Sequence, residues 1–303
     1  MHCFNPEHDI VLALDAGAGF TPPKAARKLR ADLSHLPSLW GADEEPSVWG
    51  WDAAVVAELV KAGVPRDKMP SDEQLREIRR LSNRSLAVEL LSRLRTLPGT
   101  VGTSAVCRSL ADVEQFAREH GDTILKAPWS SSGRGVKQFT AHSAQFIVST
   151  ITKQGTIIAE AKCQRVMDFA LEYHSDKDGR IAYSGLSLFS TVNGAYKGNL
   201  LLPEEEKRQL LFQYIPEAAV TAASAIIKAE LAPRLKGIYS GPFGIDMMVC
   251  QGGAGYLLNP CIEVNLRRTM GHVALALTQQ GNRGTMSVLY NKEQDKYQLS
   301  IAQ

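Results

Sequence analysis

Lys126 ends the apolar run Ile124-Leu125-Lys126 and is followed within four residues by a string of serines and glycines, residues 130–135. A short apolar run of this kind reads as a buried strand, and a lysine inside it is costly to bury without a partner. The chain must therefore fold so that this ammonium meets an anion. The small residues that follow let backbone N–H groups approach phosphate oxygens closely. Neither G-x-x-x-x-G-K-[ST] nor G-x-G-x-x-G occurs, so the loop is neither of those phosphate-binding motifs. Taken alone, the segment equally suits a Ser/Gly-rich hairpin turn beside a surface lysine.

A second part lies more than 100 residues away, in GIDMMV (residues 244–249) and IEVNLRR (residues 262–268). Glu263 and Asn265 are two apart on an apparent strand and share a face. Asp246 stands among Ile, Met and Val on the preceding strand and needs a partner there. Two carboxylates and an amide are hard oxygen donors that suit Mg²⁺, and Mn²⁺ would take the same set. Either acid alone reads as a salt-bridged carboxylate; the triple on one hairpin points to a metal. Arg267 and Arg268 follow at once, and Arg binds carboxylate or phosphate in bidentate fashion. One of the two equally suits a solvated position after the strand.

The chain has 303 residues, 44% of them hydrophobic, enough for two or three lobes. Its 34 basic and 32 acidic residues leave a net charge of +2, which argues against bulk nucleic-acid binding. The five scattered cysteines include no C-x-x-C and suggest a reducing compartment. The first residues carry no signal-peptide pattern, and no apolar run reaches the ~18–20 residues needed to span a bilayer. Cytoplasmic placement is the expectation.

Residues 9–14, DIVLAL, read as a first strand ended by the turn DAGAG. Residues 21–33 read as a helix entered through Pro22 and Pro23, SVWGWD as a strand or turn, and residues 52–64 as a helix ending at Gly63. Residues 71–94 carry one long helical pattern, opened by Ser71 and Gln74 as a capping box. A βαβ-like rhythm thus gives way to longer helices. After a linker at 97–103 come a helix (109–121), a buried strand ending near Lys126, and strands at 156–161, 169–174 and 180–191. Residues 203–231 are helical with a break at Pro216, a Gly-rich hairpin surrounds residues 251–255, and a helix starts near residue 270.

Together these parts resemble the ATP-grasp superfamily, which includes D-alanine–D-alanine ligase, glutathione synthetase and biotin carboxylase. The resemblance covers roughly residues 80–275 and implies an α/β (α+β) ATP-grasp fold, with two α+β subdomains sandwiching ATP. Residues 1–78 would be a small N-terminal α/β domain and 79–303 the ATP-grasp domain, its phosphate-loop part at about 100–158 and its metal part at 159–303. The resemblance gives Arg84, Lys126 and Lys197 as phosphate contacts, with Ser131, Ser132, Gly133 and Gly135 in the flexible loop. Glu160 would stand beside the adenine, and Asp168, with Glu172 as the other candidate, beside the ribose. Asp246, Glu263 and Asn265 would hold Mg²⁺. Lys126, Arg267 and Arg268 would act on the reacting groups.

The sequence departs from the family pattern at three places. Arg stands at 84 where lysine is usual, AKCQRVMD after Glu160 is atypical, and the stretch from Asp246 to Glu263 is long and contains Asn259-Pro260. Proline there implies a bulge or an edge strand. The resemblance implies an ATP-dependent ligase that activates a carboxylate as an acylphosphate for attack by an amine. A kinase-type transfer and an inactive nucleotide-binding protein are the alternatives. Partners would be a small acid and an amine, and the superfamily's dimers make a homodimer compatible. Glu7, His8 and Asp9 border the expected cleft; capping or orienting local structure suits them better than acid–base work. His272 is a second, weaker acid–base candidate.

Overall fold

The computed structural model describes residues 2–40, 46–130, 133, 135–192, 195–253 and 255–303. Strands β1 (His2–Cys3) and β2 (Ser47–Val48) pair in parallel around helices α1 (His8–Leu14) and α2 (Lys24–Asp32). Helices α3 (Ala53–Lys61) and α4 (Asp72–Leu81) follow. The strand expected at residues 9–14 is helix α1. His8, Val11 and Leu12 are its buried residues, at i, i+3 and i+4, and a six-residue apolar run is too short for its period to separate helix from strand. The βαβ-like rhythm survives with its first strand moved to β1. Pro23 opens α2, and Asp52 caps α3 by accepting from the Val55 N–H. Ser71 and Gln74 form the expected capping box.

The pattern over residues 71–94 is two helices rather than one, α4 and α5 (Ser85–Leu94). Asn83 Oδ1 accepts from the Ser85 N–H at 2.8 Å. The Arg84 N–H leaves the helix and donates to the Pro128 carbonyl at 3.0 Å. This break sets Arg84 at the head of α5, against the loop that follows Lys126.

Next come β3 (Ser104–Cys107), α6 (Leu110–His120), β4 (Thr123–Lys126), β5 (Val136–Gln138), α7 (Ala144–Gln154) and β6 (Ile157–Ala161). Their strands form an antiparallel sheet in the order β3-β6-β4-β5. Alternation sorts its faces. Leu125, Ile157 and Ala159 pack on Val113 and Phe116 of α6 and Ile147 of α7. Lys126 and Glu160 therefore share the opposite face.

The rest of the chain supplies β7 (Arg165–Ser175), β8 (Ile181–Val192), β9 (Ala195–Leu201), α8 (Glu204–Leu211), α9 (Glu217–Leu235), β10 (Gly241–Gln251), β11 (Tyr256–Asn265) and α10 (Met270–Gln279). The helix break at Pro216 and the Gly-rich hairpin fall where the sequence puts them. A closing hairpin, β12 (Gly284–Asn291) and β13 (Lys296–Ala302), was not legible. The seven strands form one antiparallel sheet in the order β11-β10-β7-β8-β9-β12-β13. Phe169, Leu171 and Tyr173 of β7 pack against Leu86 and Leu90 of α5 and Ala223, Ile227 and Leu231 of α9. Each buried aliphatic chain there contributes about 1.5–3 kcal/mol. Asp168, Glu172 and Asp246 lie on the other face. Helix α10, with Trp40 and Trp49, covers part of that face through Val273, Ala274 and Leu277. Among the described residues no helix is long and apolar enough to cross a membrane.

Candidate active site

Lys126 is 8% exposed and donates to Glu160 Oε2 at 2.6 Å. The contact follows from register: Ile124 lies opposite Glu160 and Lys126 opposite Ile158, so the two charges are diagonal neighbours on one face. The buried lysine has its anion, as the sequence required.

Arg84 joins three segments. Its Nη1 donates to the Ala127 carbonyl at 2.6 Å and to Ser130 Oγ at 2.7 Å. Its Nη2 donates to the Ser130 carbonyl at 2.9 Å and to Glu263 Oε1 at 2.7 Å. Only a planar fork of donors serves so many acceptors at once. Its Nε is enclosed without a partner among the described residues. The base of the loop is tight: a Cβ on Gly135 would meet Ser130 Oγ at 2.4 Å and Ala127 Cβ at 2.9 Å. Gly133 takes a φ of +72°, open to glycine at little cost. Ser131 and Ser132 lie outside the described residues.

Asp246 and Glu263 are direct cross-strand partners, and Asn265 pairs with Gly244 one step along the same face. Between Asp246 and Met248 the register slips, with Glu263 opposite one and Asn259 opposite the other. The Asn259-Pro260 segment is thus a bulge, and β11 is also the sheet's edge, as the proline implied. The Asp246 carboxyl is pushed up to about 7, first by burial and then by the charge of Glu263, against pulls from Arg267 and the Asn265 amide. Neighbouring carboxylates with too little compensating charge would be relieved by a divalent cation. Among the described residues no three His, Cys, Asp or Glu side chains converge as a closed metal site. The donor set is two carboxylates and an amide, which leaves positions for phosphate and water, the arrangement Mg²⁺ prefers.

Asp168 accepts from Thr191 Oγ1 at 2.8 Å and pairs with Arg165 at 3.3 Å. Burial raises its carboxyl above the usual range, while Thr191, Arg165 and Lys126 pull it down. Glu172 is enclosed, 1% exposed, and accepts from Thr269 Oγ1 at 2.9 Å beneath α10, so it does not open onto the cleft as a ribose partner would. Lys197 lies on β9 where the pairing with β8 slips between Ser190 and Thr191, and its side chain is exposed.

The adjacent arginines diverge. Arg267 folds back onto Asp9, with Nη2 at 3.1 Å from Oδ2, and its side chain is 14% exposed. Burial raises the Asp9 carboxyl, but Arg267, with smaller pulls from His8 and Arg84, holds it below the usual range. Arg268 lies over the Trp40 ring, 4.5 Å from its centroid. His8, Asp9, Ser82, Ser130, Glu263 and Arg267 line one small cavity between α1, the loop after β4 and β11. Asp52 belongs to this region and was not picked out from the sequence. Its Oδ2 lies 2.9 Å from His8 Nδ1 and accepts from Asn5 Nδ2 at 3.0 Å. The available signal was the pair of polar clusters FNPEHD and WGWD inside otherwise apolar surroundings.

No protein-family model and no curated protein sequence matches the chain. Solved structures do. Biotin carboxylase from Campylobacter jejuni, in its β-γ-ATP complex, superposes with a TM-score of 0.50 at 17% identity, over 75% of this chain and 50% of that one. Pyruvate carboxylase from Rhizobium etli gives a TM-score of 0.50 at 18% identity, over 86% of this chain and 23% of that one. An ADP complex of N5-carboxyaminoimidazole synthetase from Staphylococcus aureus gives 0.46 at 13% identity, over 71% and 58% of the two chains. The chain therefore spans about half the length, or less, of the first two structures. At these identities the likeness shows the fold, which is the ATP-grasp fold.

Proposed function

We propose that the chain is an Mg²⁺- and ATP-dependent ligase that activates a carboxylate as an acylphosphate for attack by an amine. The observation that carries this reading is the Arg84 bridge, which ties the loop after Lys126 to Glu263 of the Asp246–Glu263–Asn265 set. Cationic and acidic parts of a phosphoryl-transfer site are thereby tied together. The fold shared with biotin carboxylase, solved in an ATP complex, supports it.

In this reading residues 79–303 bind nucleotide and residues 1–78 close the acceptor side. Lys126 and Arg84 offset charge on the transferring phosphoryl group, with Lys197 closing in from β9. Gly133 and Gly135, with Ser131 and Ser132, bring backbone N–H groups to the phosphates. Glu160 orients Lys126 and stands by the adenine, and Asp168 stands by the ribose. Asp246, Glu263 and Asn265 hold Mg²⁺, which supplies further offset of phosphate charge. Arg267 and Arg268 flank the acid substrate. Such catalysis is positioning plus electrostatics, so no cysteine is needed as nucleophile.

Thermal unfolding with Mg²⁺ and a non-hydrolysable ATP analogue tests the nucleotide site. A ligand that binds only the folded chain raises the melting temperature. A metal-dependent rise that shrinks in Glu263→Gln is expected, followed by phosphate release on a panel of acid–amine pairs. No shift at millimolar nucleotide would sink the reading. ADP formation with a stable phosphorylated product and no amine requirement would move it to a kinase.

A further inference from the structure

The cavity beside Glu263 contains two titratable groups that the phosphoryl-transfer site does not use, His8 and Asp9, and Asp9 is paired with Arg267. His8 is 1% exposed, yet it lines that cavity. Its ring is fixed from two sides. Nδ1 lies 2.9 Å from Asp52 Oδ2. The opposite wall is Gly50, where a Cβ would come within 2.6 Å of the ring, so only glycine admits the imidazole. Asp52 is itself fixed: Oδ1 accepts from the Val55 N–H at 2.8 Å and Oδ2 from Asn5 Nδ2 at 3.0 Å. Asn5 in turn accepts from the Gly50 N–H at 3.2 Å and donates to its carbonyl at 2.8 Å.

Both Asp52 oxygens already accept, Oδ1 from the Val55 N–H and Oδ2 from Asn5 Nδ2, so a neutral imidazole paired with the Asp52 carboxylate would place its proton on Nδ1 and leave Nε2 bare. Among the described residues Nε2 has no hydrogen-bond partner, and the His8 side chain lines the cavity shared with Glu263 and Arg267. A carboxylate that fixes an imidazole's tautomer and aims its bare nitrogen at a cleft is the arrangement of a general base. A structural histidine would have Nε2 satisfied by protein, as His272 has through the Tyr173 carbonyl at 3.2 Å.

We propose that His8, oriented by Asp52 and seated against Gly50, is the general base that deprotonates the incoming amine in the cavity shared with Glu263 and Arg267. This rests on the ligase reading. An ammonium proton passes to Nε2 and frees the nitrogen lone pair. That pair forms the C–N bond at the acylphosphate carbon. The C–O bond to phosphate breaks, and its electrons leave on inorganic phosphate. The second proton that nitrogen sheds goes to the departing phosphate. Asp9, next in the chain, is neutralised by Arg267 and so leaves Nε2 as the basic group facing the acceptor.

The test combines a structural and a kinetic reading on the full chain. Nitrogen-15 spectra of histidine-labelled protein should show His8 protonated at Nδ1 and bare at Nε2, and diethyl pyrocarbonate should modify Nε2. In Asp52→Asn, which keeps an acceptor for the Val55 N–H, the tautomer should invert. On an acid–amine pair that turns over, His8→Gln should lower kcat roughly 100-fold with KM for ATP little changed. Hydroxylamine, largely unprotonated at neutral pH, should restore most of that rate. A proton on Nε2, or an Nε2 that the reagent does not reach, overturns the proposal whether or not turnover is found. The Mg²⁺–nucleotide melting shift of the wild type is read separately, so loss of the nucleotide site and loss of the base give different results.

Discussion

Arg84 and Glu263 lie 179 residues apart in sequence and 2.7 Å apart in space. The same guanidinium holds the Ala127 carbonyl and both oxygens of Ser130. Its side chain is 6% exposed and that of Glu263 25%. Arg84→Lys keeps the charge but offers a point ammonium where a fork is needed. The loss of at least two of these bonds and the partial orphaning of Glu263 should cost about 2–3 kcal/mol. Urea unfolding measures it. An unchanged midpoint would mean that the bridge is not a structural link.

Asp246 presents the opposite case. It is held beside Glu263 with too little positive charge to offset both, which a folded protein tolerates at a functional site. Asp246→Asn removes the repulsion, keeps an oxygen, and should raise stability by about 1 kcal/mol, a modest gain because water still reaches the site. The same change should abolish the Mg²⁺-dependent nucleotide shift. A variant that is both destabilised and still metal-responsive would contradict this.

The sequence disclosed the strands that carry charge better than it disclosed the ends of the chain. Lys126 and the Asp246–Glu263–Asn265 set were legible because a charge inside an apolar run demands a partner, and the antiparallel ladders place those residues on shared faces. The bulge was legible from Asn259-Pro260. Helix α1 was not, since six apolar residues fit either period. The hairpin β12–β13 was not, because its partner β9 and its covering helix α2 come from distant segments. Asp52 was missed for a similar reason. As the N-cap of α3 it already has a local role, and nothing in sequence shows that its second oxygen meets His8.

Gly271 opens a further test, since two effects of a methyl group oppose each other there. It lies in the first turn of α10, where alanine favours the helix by about 1 kcal/mol. A Cβ would, however, stand 1.9 Å from Glu172 Oε1 and 2.7 Å from Ser187 Oγ. Both neighbours are buried, so the clash cannot be relieved by a swing into solvent. Overpacking of this kind costs about 1–3 kcal/mol or more. Gly271→Ala should therefore lower the urea midpoint. A stabilised variant would show that α10 can shift off the sheet.

The pair Glu172 and His272 should give stability a distinctive dependence on pH. His272 Nδ1 accepts from the Thr269 N–H at 3.2 Å, so Nε2 holds the proton that goes to the Tyr173 carbonyl. Glu172 Oε2 lies 3.1 Å from that same Nδ1 but makes no hydrogen bond among the described residues, so an ionised carboxylate there would be enclosed without a donor. Burial first, then the charge of Asp246, pushes Glu172 up to about 8 from an ordinary 4.5. Burial first, then Arg268, pushes His272 down to about 3 from 6.5. The raised Glu172 adds stability that is full below 4.5 and lost as pH rises through 8. The lowered His272 adds stability that is full above 6.5 and lost as pH falls toward 3. Between these limits the folded and unfolded chains bind equal numbers of protons near about pH 5.5, where the pair's contribution peaks. Urea midpoints measured from pH 5 to 9 should fall on the alkaline side. In Glu172→Gln that fall should flatten, because the amide cannot ionise. Parallel slopes for the two proteins would place Glu172 as an ionised carboxylate already at pH 6 and refute its raised titration.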